Sequence, residues 1–163
     1  MKKIYPLFGL LLLLLVAIGC GKTISSAPDV TFTTLTGQKI ALKALRGKPV
    51  LVTFWATDCP SCLEEIPVLI DLYNRHHDSG LEMIAVAISY DPPNHVIDLT
   101  KERQLPYNVA LDLNSEFAQA FGGVMFTPST FLLAPDGSVI NHQIGLFDPE
   151  KLNTMIQALI KAN

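Results

Sequence analysis

Cysteine is scarce: Cys20, Cys59 and Cys62 are the only three in a chain of 163 residues. That excludes a disulfide scaffold. With no second Cys pair, a four-Cys structural zinc site has no ligands either. Three thiols can supply one reactive pair and one special thiol. Charge is also sparse, at 17% of residues, and has no basic excess: twelve Lys and Arg stand against fifteen Asp and Glu, a formal net charge of −3. A nucleic-acid binder needs a basic face, so that class is set aside. Hydrophobic residues make up 49% of the chain, too many for a disordered protein. A chain of this length is one domain by the usual prior and can bury a core without staples.

An apolar run of the ~20 residues needed for a transmembrane helix is missing too. Leu7–Ile18 is an uncharged apolar stretch of twelve residues, and it follows the positive Met1-Lys2-Lys3. This is the pattern of a secretory signal. It ends in Ala17-Ile18-Gly19-Cys20, which resembles the lipobox of bacterial lipoproteins, where the Cys is acylated and becomes the new N-terminus. Residues 1–19 are therefore expected to be a lipoprotein-type signal peptide, 20–28 the lipidated Cys20 and a small polar tether, and 29–163 the folded domain. The alternative is an ordinary signal with an incidental Cys. An exported chain works where disulfides persist, so Cys59 and Cys62 are not passive thiols.

The remainder alternates strand and helix patterns. Val30–Leu35 and Lys39–Leu42 flank Thr36-Gly37-Gln38 as a hairpin. Val50–Trp55 is an apolar run suited to a buried strand. Cys62, Ile66, Leu69, Ile70 and Tyr73 share one helix face, which predicts a helix from Pro60 to about His77. Leu81–Ser89 reads as a second buried strand, about His95–Gln104 as a helix, and Tyr107–Leu111 as a short strand. Asn114 is placed to cap a short helix carrying Phe117 and Phe121. Ser129–Leu133 and Ser138–Ile144 are strands joined through Pro135-Asp136-Gly137. Asp148-Pro149 opens a last helix with Leu152, Met155, Ile156, Leu159 and Ile160 on its buried stripe. The order predicts an α/β fold, a mixed sheet with helices on both faces.

The chemistry falls at one junction, where Val50–Trp55 runs through Ala56-Thr57-Asp58 into Cys59-Pro60-Ser61-Cys62. A Cys-x-x-Cys opening a helix puts Cys59 at the N-cap, where unpaired N–H groups and the helix dipole stabilise a thiolate. Cys62 lies one turn on, within reach of a mixed disulfide on Cys59. Cys59 thus reads as the exposed attacking sulfur and Cys62 as the buried resolving one. Pro60 gives up no bond at the first helical position. A static disulfide and a two-Cys Cu(I) site remain open. His76 and His77 are adjacent and read as solvated residues near a helix C-terminus. His95 and His142 have no ligand-like spacing, and no metal site or cofactor is otherwise expected.

Two stretches carry a family resemblance. Leu45–Pro67, with Phe54-Trp55-Ala56-Thr57-Asp58-Cys59-Pro60-Ser61-Cys62-Leu63-Glu64-Glu65 at its heart, and Phe126-Thr127-Pro128-Ser129-Thr130-Phe131-Leu132 resemble the TlpA-like and ResA-like thioredoxin-fold disulfide reductases. The resemblance implies a thioredoxin-like sheet with an N-terminal β-hairpin and a helical insert between Asp91 and Pro106. It implies a cis-proline at Pro128, with Thr127, on a loop that binds substrate backbone. It also implies a proton-handling role for Glu65, a helix kink at Pro67 and an active-site aromatic at Trp55. The expected partners are disulfide-bearing envelope proteins as clients and a membrane electron donor as reductant, at a membrane held by the lipid anchor.

One departure sets the redox expectation. Many relatives carry Trp before the first Cys, where this chain has Asp58. Glu64 and Glu65 follow, and no Lys or Arg lies between Lys48 and Arg75. Like charges disfavour the thiolate that strong oxidants stabilise. The sequence therefore points to a reductant or exchanger, with a potential nearer the thioredoxin end, about −270 mV, than the oxidant end, about −120 mV.

Overall fold

The computed structural model describes residues 24–162; the expected signal peptide and Cys20 lie outside them. The elements are β1 (Thr31–Thr33), β2 (Lys39–Ala41), β3 (Val50–Trp55), α1 (Pro60–His76), β4 (Glu82–Ala87), α2 (Pro93–Glu102), β5 (Asn108–Leu111), α3 (Glu116–Ala120), β6 (Ser129–Leu133), β7 (Val139–Ile144) and α4 (Pro149–Lys161), with short 3-10 turns at Leu42–Leu45 and His77–Ser79. The five-stranded sheet runs β5-β4-β3-β6-β7, and β1-β2 form a separate hairpin. β3, β4 and β5 are parallel, while β6 and β7 return antiparallel.

Period-two alternation sorts the central strands into two cores. Leu51, Trp55, Met83, Ala85 and Ala87 face one layer, with Leu69 and Leu72 of α1, Val96 of α2 and Ile156 of α4. Val52, Phe54, Ile84 and Val86 face the other, with Phe32 of the hairpin and Ala118 of α3. That second layer is an aromatic cluster. Phe54, Phe121 and Phe131 meet edge-on with ring centroids 5.0–6.0 Å apart, a preferred geometry for aromatic packing. Between β3 and β6 the paired residues Thr53 and Thr130 join their hydroxyls at 2.9 Å, so two buried polar groups satisfy each other.

The structure adjusts several local expectations. The hairpin strands are shorter than read. α3 is capped not by Asn114 but by Asp112, whose carboxylate accepts from the amides of Phe117 and Ala118 at 3.0 and 2.8 Å. His76 is not solvated: it is 8% exposed and its Nε2 meets Asn153 Oδ1 of α4 at 2.7 Å. His77 is exposed and stacks on Tyr73. The chain meets the domain before Pro28, because the amide of Val139 donates to Ser25 and that of Ala27 to Gly137. Gly137 itself has φ +80° and sits where a Cβ would fall on the Arg46 guanidinium. No described helix is long and apolar enough to cross a membrane.

Candidate active site

β3 delivers the chain to the site. Its register pairs Phe54 with Ser129, so the ends of β3 and β6 lie side by side. The chain leaves β3 for Cys59 where it enters β6 from Thr127-Pro128. That peptide bond is cis, as the resemblance implied. The carbonyl of Pro128 accepts from the amide of Gly145 at 2.8 Å.

Cys59 is the N-cap of α1. Its backbone is extended, Pro60 fills the first helical position, and its sulfur accepts from the amide of Cys62 at 3.2 Å. The Ser61 hydroxyl lies 3.5 Å from the same sulfur. Cys59 and Cys62 are joined in a disulfide with Cα atoms 5.2 Å apart. Both are more buried than the exposed-and-buried contrast predicted, 8% exposed for Cys59 and 3% for Cys62, although the order is as expected. Pro67 lies inside α1 and the helix continues past it.

The segment before Cys59 is held by a residue the sequence reading passed over. Asp91, 3% exposed, accepts from the amide and the hydroxyl of Thr57, both at 2.6 Å. Bonds to a carboxylate are about twice as strong as neutral ones, and here they tie the loop after β4 to the approach to Cys59. Asp91 was legible only as part of a chain break, because its partner lies 34 positions away. Asp58 between them is exposed.

Glu65 turns inward. It is 4% exposed and lines a small cavity with Cys62, Trp55, Thr53 and Tyr107. Its Oε1 accepts from the amide of Phe147 at 3.1 Å. Burial pushes its carboxyl up to about 7, against the pull of the Phe147 amide and helped by the charge of Glu64. Near neutrality Glu65 is therefore only partly ionised, which weakens its expected opposition to the Cys59 thiolate. Burial also pushes the Tyr107 hydroxyl up. Trp55 is 5% exposed and its Nε1 has no hydrogen-bond partner among the described residues. It lines the same cavity as Cys62 and Glu65.

A proton on Glu65 is retained by the folded protein up to about pH 7 but leaves the unfolded chain near its ordinary 4.5. Folded wild type should thus lose stability, relative to Glu65→Gln, as pH rises through that window and not below it. The loss is about 3 kcal/mol, at ~1.4 kcal/mol per pKa unit. Denaturant unfolding of both oxidised proteins between pH 4 and 8 measures it. A flat difference would contradict the buried, proton-holding carboxyl.

Comparison with known proteins agrees with this geometry. The Redoxin family profile matches residues 22–159. The thiol-disulfide oxidoreductase ResA of Bacillus cereus is 31% identical over 98% of this chain and 99% of its own. The ResA of Bacillus subtilis is 32% identical over 89% of this chain and 88% of its own. Among solved structures, a thioredoxin-type protein of Neisseria meningitidis superposes with a TM-score of 0.78 at 29% identity, covering 84% of this chain and 91% of that one. StoA of Bacillus subtilis shares the fold, with a TM-score of 0.67 at 23% identity over 78% of this chain and 97% of its own. A Cys pair at a helix N-cap, a cis-proline loop beside it and full-length likeness to ResA together place this chain in the Redoxin family, as a thiol-disulfide oxidoreductase of the thioredoxin fold.

Proposed function

We propose that the protein is an envelope disulfide reductase, exported and tethered by an acylated Cys20. The observation that carries the reaction is the N-cap geometry of Cys59, with its sulfur accepting the Cys62 amide. In the dithiol state the Cys59 thiolate attacks a client disulfide, forms a mixed disulfide and releases one client thiolate. The Cys62 thiolate then attacks the Cys59 sulfur and releases the second. Two electrons pass from the pair to the client, the client thiolates take up two protons, and a Cys59–Cys62 disulfide remains. Glu65, buried beside Cys62 and able to hold a proton near neutrality, is suited to exchange that proton with Cys62. Thr127 makes no hydrogen bond among the described residues, so its backbone is free to pair with a client strand. A membrane electron donor would return the pair to the dithiol. The names of the relatives support this reading over a Cu(I) chaperone.

The direction rests on electrostatics. Exposed Asp58 next to Cys59 opposes the helix dipole, and a screened carboxylate nearby is worth on the order of 1 kcal/mol or less, comparable to the dipole's ~0.3–1 kcal/mol. The thiolate is then less stabilised than in strong oxidants, and the disulfide is harder to reduce.

Three outcomes are expected. Cys62→Ser traps clients as mixed disulfides that Cys59→Ser does not form, read by non-reducing electrophoresis and mass spectrometry; trapping on Cys59→Ser instead would reverse the roles. Asp58→Asn shifts the potential in the oxidising direction, by less at high salt, in glutathione or dithiothreitol equilibration. A fatty-acid label enters wild type and not Cys20→Ala; equal labelling would mean that Cys20 is not the anchor.

A further inference from the structure

We infer that the exposed apolar face formed by Ile24, Met125, Phe126 and Ile144 rests on the surface of the lipid bilayer, as a second membrane contact beside the acyl anchor. The inference goes beyond the reductase reading and rests on the part of it that makes Cys20 the acylated residue.

The face is marked first by its lack of charge. No Asp, Glu, Lys or Arg stands between Glu116 and Asp136, or between Asp136 and Asp148. Those two stretches also carry five of the seven large apolar side chains exposed among the described residues: Met125 at 81%, Phe126 at 62%, Ile140, Ile144 and Leu146. Single exposed apolar residues are ordinary, but Met125, Phe126 and Ile144 line one groove together with Ile24. A contiguous patch of this kind marks a protein or membrane contact. The fold leaves it open because α3 and the hairpin pack over the inner strands. β7 is the edge strand, and its side chains alternate between half-buried and exposed.

The connectivity of the chain says what covers this face. Ile24 is where the described chain begins, and the residues after it are fixed to the start of β7. The Val139 amide donates to the Ser25 carbonyl at 3.0 Å, and the Ala27 amide to that of Gly137 at 2.8 Å. Cys20 stands four positions before Ile24, and four residues reach at most ~14 Å. An acylated Cys20 sits at the headgroup layer. Ile24 then lies within that reach of the bilayer, and the side chains lining its groove lie beside it. So short a tether does not hold the domain clear of the membrane. Turned with this face down, the domain takes apolar side chains out of water and into the interface. Turned otherwise, it presents a surface richer in Asp and Glu to an anionic leaflet.

The test uses the acylated protein, purified from membranes and reconstituted in vesicles of phosphatidylethanolamine and phosphatidylglycerol with brominated acyl chains. A nitrobenzoxadiazole probe is attached in the single variants Met125→Cys, Ile144→Cys and Lys101→Cys. Cys59–Cys62 is kept oxidised, so that the introduced thiol alone reacts. Lys101 is exposed on α2, which packs on the opposite face of the sheet. Contact at interfacial depth, ~5–10 Å, predicts blue-shifted emission and several-fold stronger bromolipid quenching at positions 125 and 144 than at 101. With Met125→Glu added, quenching at 144 should fall toward the level at 101. Unchanged quenching there would mean that the tether alone sets the distance, and would overturn the inference. Equal quenching at all three positions would overturn it as well. So would a blue shift that bromolipids do not quench and that grows with protein density, the signature of a second copy on this face. If the purified chain carries no acyl group, the anchor reading fails and this inference with it; an acylated chain without lipid contact at 125 and 144 sinks the inference alone.

Discussion

The amide of Cys62 pointing at the sulfur of Cys59 is the contact on which the rest of the site depends. A helix N-terminus leaves amides without intrahelical acceptors, and a sulfur placed there satisfies one of them; in the reduced pair a thiolate's charge would meet the positive end of the dipole. The requirement fixes what surrounds it. The helix must begin at Pro60, so β3 must end at Trp55 with a short irregular link between. That link carries no regular ladder bonds, and Asp91 holds it through Thr57. The β3–β6 register then brings the cis-proline loop alongside.

The two sulfurs sit in different surroundings, and the difference suits the successive roles proposed for them. Cys59 has the helix N-terminus, the Ser61 hydroxyl and exposed Asp58 about it. Cys62 faces a small cavity with Trp55 and a carboxyl that burial pushes up to about 7. An attacking thiol is served by being ionised and reachable, and a resolving thiol by a neighbour that takes its proton when the mixed disulfide must be released. The amide of Phe147 on Glu65 and that of Gly145 on Pro128 come from one segment between β7 and α4. That segment therefore holds both Glu65 and the cis-proline loop.

What was legible in the sequence was local. Val50–Trp55 as a strand, Pro60 as a helix start and Asp148 as a cap depend on neighbours a few positions apart, and the structure keeps all three. The Cys pair and the cis-proline were readable because motif and resemblance coincide there. The misses were set by distant partners. Asn114 was read as a cap because it stands near the helix start, but Asp112 lies under the α3 amides. His76 was read as solvated because its burial depends on where α4 lies. The i, i+3 spacing put Glu65 beside Cys62, but not its burial or its bond to Phe147, 82 positions on. No local pattern tied Asp91 to Thr57.

The central claim is that the helix start makes Cys59 the nucleophile. Limited alkylation of the reduced protein across pH 5–9, followed by peptide mapping, tests it most directly. The account predicts that the Cys59 peptide is labelled first near neutral pH, at a rate that rises with thiolate formation, while Cys62 lags. Preferential labelling of Cys62, or equal labelling of both throughout, would contradict it.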